Sequence, residues 1–213
     1  MSPFPVILSA PSGGGKTTIA RMLLARRPNL GYSVSCTTRA PRPAEVPGRD
    51  YYFMSRAEFI AKREQGAFAE SAEVHGNLYG TLRAEVERVM AGGQHVVMDI
   101  DVQGAVQFVR AFPLSVTIFI LPPSAEVLLE RLRARMTESP AQLAARLQSA
   151  LQELQQVDEY EYVVVNDDLE RAVSSVESII DAEVVSRERL KNLRQQVGRL
   201  IQRLEQEIEN STP

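Results

Sequence analysis

Short runs of aliphatic and β-branched residues recur along the chain, separated by stretches with helical periodicity. Val6–Leu8, His95–Ile100, Ser115–Leu121 and Tyr162–Val165 read as strands apolar on both faces. Between them, Ala105–Arg110, Ala125–Arg135 and Leu143–Leu154 space apolar residues as helices do. Strands of that kind alternating with helices predict a parallel sheet covered on both sides, hence an α/β fold. Two helix starts carry capping boxes, Ser55 with Glu58 and Asp167 with Glu170. Gly92-Gly93 ends a helix before the strand at His95.

Three intervals depart from this rhythm. Residues 33–90 hold turn-forming Pro41, Pro43, Pro47 and Gly48, short Tyr- and Phe-bearing segments, and one helix near Arg56–Gln65. They read as an α+β insert hung on a core of residues 1–32, 91–130 and 147–183. Residues 131–146 are polar and carry Arg131, Arg133, Arg135 and Arg146 around Thr137-Glu-Ser-Pro140, the composition of a lid. In the extension 184–213, Leu190, Leu193, Val197, Leu200 and Leu204 follow 3–4 spacing, with Ile208 just off the seam. Fewer than three heptads fit a coiled coil and an amphipathic helix packed on its own domain equally.

Composition narrows the classes. The 213 residues are 44% hydrophobic and 24% charged, as in ordinary globular proteins, and suffice for one domain with inserts. A formal charge of −3 argues against a general nucleic-acid or membrane-surface binder, so any polyanion must meet a local basic pocket. The single cysteine, Cys36, forms no internal disulfide, suits a reducing compartment and reads as a small apolar filler. With no long apolar stretch and no signal-peptide pattern at the N-terminus, the expected location is the cytoplasm.

The strongest chemical signal follows the run Phe4-Pro-Val-Ile-Leu8. There the loop Ala10-Pro11-Ser12-Gly13-Gly14-Gly15 leads into Lys16, Thr17 and Thr18 at the start of a helix. Strand, glycine-rich turn and Gly-Lys-Thr helix start form a nucleotide phosphate cradle. Backbone N–H groups close around phosphate oxygens, Lys16 reaches the β- and γ-phosphates, and the Thr17 hydroxyl sits on Mg2+. Ala10 stands where that pattern usually opens with glycine. Asp99, at the end of an apolar strand, is placed to hold a magnesium water shell, and Asp101 points the same way. Arg39 and Arg42, three apart in a proline-braced loop, supply guanidinium forks suited to a phosphate monoester, with Ser35 and Tyr51 adding neutral hydrogen bonds.

Several separated segments resemble guanylate kinases together, in order and in approximate spacing. They are the phosphate loop, Ser33–Phe53, Phe68–Thr81, Asp99–Ala105, Leu121-Pro-Pro-Ser124, the arginine-rich lid and Val165-Asn-Asp-Asp168. The resemblance spans about residues 4 to 183 and implies a three-layer P-loop kinase fold: a parallel central sheet, an inserted GMP-binding subdomain and a helical lid. It implies Mg2+-dependent transfer of the γ-phosphoryl group of ATP to GMP, with dGMP a further candidate. By resemblance Glu70, Asp101 and Thr81 face the guanine edge, Tyr79 contacts the GMP phosphate and Asn166 lies near the ATP adenine. Lys16, Arg131, Arg135 and Arg146 surround the transferred group. Two carboxylates accept from guanine N1–H and N2–H2, while a hydroxyl donates to O6; adenine cannot satisfy that set.

The chain departs from the family pattern at Ala10, at Ala44, at Met136 after the second lid arginine, and at Ser71 and Val102, which replace frequent tryptophans. None removes a group the reaction needs. His75 and His95 lack metal-ligand spacing and carry no expected role. Two rival readings are a non-catalytic guanylate-kinase-like scaffold and a kinase for another small molecule on the same fold. Intact Lys16, Thr17 and lid arginines speak against the first, and Glu70, Thr81 and Asp101 together against the second. A monomer or a homodimer through the C-terminal helix both fit the sequence.

Overall fold

The computed structural model describes residues 2–74, 76–133, 140–190 and 192–211, with 140–142 as backbone only. Arg135, Met136 and His75 lie outside the described residues. The chain starts with strand β1 (Pro5–Ser9), helix α1 (Lys16–Arg26) and strand β2 (Leu30–Tyr32). Strands β3 (Cys36–Thr37) and β4 (Tyr52–Phe53), helix α2 (Arg56–Glu64), strands β5 (Phe68–Val74) and β6 (Asn77–Leu82), and helix α3 (Arg83–Ala91) follow. Then come β7 (His95–Asp99), α4 (Val102–Ala111), β8 (Val116–Leu121), α5 (Ala125–Arg133) and α6 (Pro140–Leu154). The chain closes with β9 (Tyr162–Val165), α7 (Leu169–Val184) and α8 (Leu193–Ser211).

The central sheet has the order β2-β7-β1-β8-β9, and every pairing in it is parallel. Alternation along the strands splits the core into two layers. Val6, Leu8, Val97, Ile118 and Ile120 face α1 (Ile19, Leu23) and α7 (Val173, Val176, Ile180). Ile7, Val96 and Met98 face α3 (Val86, Val89) and α4 (Phe108). Helices therefore cover both faces, as the unbroken apolar runs predict. The five central-sheet strands include β2, which the apolar pattern does not announce. The capping signal before α7 shifts by one residue: Asp168, not Asp167, accepts the Arg171 N–H and caps the helix. Ser55 caps α2 as expected, accepting from Glu58 N–H.

A second sheet, β4-β3-β6-β5, carries its own small core of Cys36, Phe59, Phe68 and Leu78. Cys36 is fully buried there, and burial pushes its thiol up to about 12, so it is an apolar filler and not a nucleophile. α5 and α6 pack on each other through Leu128, Leu132 and Ala150. Beyond α7, Arg189 anchors the chain to the core. Its guanidinium lies 4.1 Å from the Phe4 ring centroid and donates to Glu183 and to the Leu114 carbonyl. Asn192 then takes a left-handed turn (φ 63°), and α8 departs with no buried residue. No helix among the described residues is long and apolar enough to cross a membrane.

Candidate active site

β1 ends at the sheet's centre with β7 and β8 on either side, where a crevice opens beyond the strand ends. The loop after β1 takes its shape from left-handed backbone at Gly13 (φ 86°) and Gly15 (φ 96°), which costs glycine little and other residues much. Gly15 is the N-cap of α1, so the helix's unpaired N–H groups and its positive end point into the loop. Asn166, buried after β9, donates through Nδ2 to the Gly14 carbonyl at 2.9 Å and braces the loop from behind. Ala10, only 1% exposed, packs beneath the loop and away from the cleft.

Asp99 joins three elements. Its Oδ2 accepts from the Thr17 hydroxyl of α1 at 2.6 Å, and its Oδ1 accepts from Tyr32 OH of β2 at 2.6 Å. Burial and the neighbouring Asp99 charge hold the Tyr32 phenol far above its ordinary value, so it is a permanent donor. Tyr32 thereby sets the rotamer of Asp99, a part that the sequence did not suggest. Lys16 Nζ rests 3.4 Å from the Ile100 carbonyl, at the mouth of the loop.

The second half of the site lies where β5 and β6 meet the N-terminus of α4. Glu70 is 6% exposed, and its Oε1 accepts from the fully buried Thr81 hydroxyl at 2.7 Å. Burial pushes its carboxyl up to about 7, with the Asp101 charge adding to the rise and the Thr81 hydrogen bond opposing it. Asp101 caps α4 by accepting Gly104 N–H at 2.7 Å. The two carboxylates converge over Gly104: a methyl there would lie 2.8 Å from Glu70 Oε2 and 3.4 Å from Asp101 Oδ1. Only a residue without a side chain lets them approach. Thr81 spends its proton on Glu70 and serves as the carboxylate's fastener in this structure. Ser35 Oγ stands 3.5 Å from Thr81 Oγ1.

The arginine loop is organised by Glu45, a second residue that the sequence reading passed over. Arg39 Nη2 donates to Glu45 Oε1 at 2.7 Å, and Arg42 N–H donates to Glu45 Oε2 at 2.8 Å. The Arg39 guanidinium also lies 5.5 Å from the Tyr51 ring centroid, and Tyr51 meets Tyr79 edge-on at 6.0 Å. The Arg42 side chain stands in solvent at the loop's edge.

On the opposite wall, Arg131 of α5 lies beside Gly13 and donates through Nη2 to the Asn166 carbonyl at 3.4 Å. Its Nη1 is buried without an acceptor among the described residues. A buried donor without an acceptor costs about 1–3 kcal/mol, and more when it is charged, so this nitrogen suits an anionic partner. From α6, Glu153 accepts Ser12 N–H at 3.0 Å, tying the helix that bears Arg146 to the phosphate loop.

One cleft of about 1090 Å3 joins these parts. Residues Pro11 to Thr18, Asp99, Arg131, Arg146 and Asn166 line it together with Ser35, Tyr51, Glu70, Tyr79 and Asp101. Among the expected residues, Ala10 and Thr81 are buried and do not line the cleft, and neither do Arg39 and Arg42, which Glu45 holds in the arginine loop.

The guanylate kinase family model matches residues 2–183. A guanylate kinase of Symbiobacterium thermophilum is 49% identical over 178 residues, covering 84% of each chain. One of Thermotoga maritima is 47% identical over 177 residues, covering 83% of this chain and 86% of its own. The crystal structure of guanylate kinase from Anaplasma phagocytophilum superposes with a TM-score of 0.75 at 37% identity, over 91% of this chain and 93% of the other. A phosphate loop facing a carboxylate pair across one cleft, on a chain matched over nearly all of its core, belongs to the guanylate kinase family.

Proposed function

We propose that the chain phosphorylates GMP to GDP with ATP, and that the two halves of the cleft divide the substrates between them. The observation that carries this reading is the single cleft shared by the phosphate loop and the Glu70–Asp101 carboxylates. ATP lies on the loop from Pro11 to Thr18, with Lys16 leaving the Ile100 carbonyl for the β- and γ-phosphates. Guanine offers N1–H and N2–H2 to Glu70 and Asp101. The monophosphate meets Arg39, Arg42, Ser35, Tyr51 and Tyr79. GMP and dGMP share the base edge and the phosphate, so both are substrates.

The Thr17 hydroxyl and the Asp99 carboxylate form a hard-oxygen pair that suits Mg2+, an ion that keeps most of its ligands from water and nucleotide. Thr17 and Asp99 would hold the ion, which would supply neutralisation of phosphate charge, and the Tyr32 hydroxyl fixes the Asp99 carboxylate by donating to its Oδ1. No general base is needed, because a phosphate monoester is already largely dianionic at pH 7, its second pKa lying near about 6. A GMP phosphate oxygen forms a bond to the γ-phosphorus, the bond from that phosphorus to the β–γ bridging oxygen breaks, and ADP leaves with those electrons. The protein contributes positioning and charge neutralisation. Arg131, whose Nη1 has no acceptor among the described residues, receives the transferred group together with Arg146, which lines the same cleft; Arg135, expected to join them, lies outside the described residues.

The variant Glu70→Gln separates the halves, because the amide presents an N–H where guanine also donates. KM for GMP should rise about 100-fold, with KM for ATP within about twofold of the parent. Equal losses for both nucleotides would remove Glu70 from the base site.

A further inference from the structure

α8 lies beyond the family match and buries nothing on its own domain. Val197, Leu200, Ile201 and Leu204 are 43–65% exposed, and Ile208 is 66% exposed. With Leu193, these residues occupy an arc of about 100° on the helix. Of the two arrangements that 3–4 spacing allows, packing on its own domain is thus not the one observed.

Two features identify what covers this face. First, the stripe is palindromic: from Leu193 to Ile208 its successive spacings are 4, 3, 1, 3 and 4 residues. A two-fold axis between Leu200 and Ile201 lays Leu193 over Ile208, Val197 over Leu204 and Leu200 over Ile201. Second, charge is segregated. Arg194, Arg199 and Arg203 lie in the first part with no acid, and Glu205, Glu207 and Glu209 follow with no base. That order runs against the helix's own dipole, which favours acids at the N-terminus and bases at the C-terminus by tenths of a kcal/mol each, about 0.3–1. A parallel pair would set glutamates beside glutamates. An antiparallel pair sets each basic half beside an acidic half and opposes the two dipoles.

We propose that α8 is a self-association helix that pairs antiparallel with α8 of a second copy of this chain, forming a closed two-fold dimer. Arg194 and Glu205 lie on the same flank of the stripe, and the two-fold sets Arg194 beside Glu205 of the partner subunit, twice over. Within one helix the two are eleven residues apart, about 16 Å along the axis, and cannot pair. Glu207, on the other flank, is already held by Arg203 of its own helix. The face does not suit an anionic membrane surface, since its polar flanks carry as many glutamates as arginines and the chain is net negative.

Sedimentation velocity across a concentration series tests this on the full chain. The parent should shift from monomer to dimer and no further. Leu200→Glu should weaken association at least about 30-fold, with GMP turnover unchanged, because the residue is remote from the cleft. Arg194→Glu should weaken it about tenfold and add salt sensitivity, and the double variant Arg194→Glu/Glu205→Arg should restore it. A parent that stays monomeric at all concentrations overturns the proposal. So does a dimer that survives Leu200→Glu, which places the interface elsewhere. Failure of the double variant to restore association overturns the antiparallel arrangement.

Discussion

At the residue scale the site is built on one costly group. Glu70 is a carboxylate walled in by β6 and α4, and burial raises its carboxyl to about 7 from an ordinary 4.5. Ionising it at this site costs about 3 kcal/mol relative to water. On the proposed assignment guanine's two donors would relieve that cost, and a base without them would not. The sign of the pH dependence follows. The folded protein holds the Glu70 proton up to about pH 7 while the unfolded chain releases it near 4.5, so this group's contribution to stability falls as pH rises between those values. GMP binding, if it takes the carboxylate as proposed, should strengthen over the upper part of that range and level off above it. Between pH 6 and 8 the dissociation constant for GMP should fall about tenfold more in the parent than in Glu70→Gln, whose slope reports the GMP phosphate alone. Parallel slopes, measured by calorimetry in one buffer series, would mean that Glu70 does not titrate on binding.

At the element scale, the packing of α4 against β5 sets the distance between the carboxylates, and Gly104 is the contact that permits it. Gly104→Ala opposes two effects. Helix propensity favours alanine by about 1 kcal/mol, whereas its methyl would lie 2.8 Å from Glu70 Oε2. The carboxylate end is the part that can shift, so the fold should tolerate the change. Thermal midpoint should stay level or rise, KM for GMP should rise about tenfold or more, and KM for ATP should hold; a parent-like KM for GMP would mean that Glu70 has room to spare. The strands of β1, β7, β8 and β9 were legible because a buried parallel strand is apolar on both faces. β2 was not: it is three residues long, with Gly31 at its centre, and gains its partner only from distant β7. The two-residue strands β3 and β4 are likewise defined by their pairing and not by pattern. Glu45, Glu153 and Tyr32 escaped the sequence reading for the same reason, since each acts through a neighbour that only the fold supplies. The phosphate loop and Asp99 were legible because their chemistry is local: glycines, a lysine and a hydroxyl in one turn, and an acid at a strand's end.

At the scale of the whole molecule, the central sheet holds the phosphate loop and Asp99 rigidly, and the second sheet brings Glu70 and the arginine loop to the same cleft. α5 and α6 carry Arg131 and Arg146 over it. Arg131 Nη1 has no acceptor among the described residues, and burial disfavours the ionised form of Glu70; on the proposed assignment substrate would relieve both. Such relief would direct binding energy toward assembling the transferred group's surroundings. α8 stands apart from that machinery, and its open stripe emerged only when the fold showed that nothing in its own domain covers it. The most direct test is ADP formation from MgATP with GMP, AMP, CMP and UMP offered separately. Turnover with GMP at least about 10⁴-fold above the other three is the predicted result. Comparable turnover of AMP, or none with any nucleotide in protein that still binds GMP, would contradict the account.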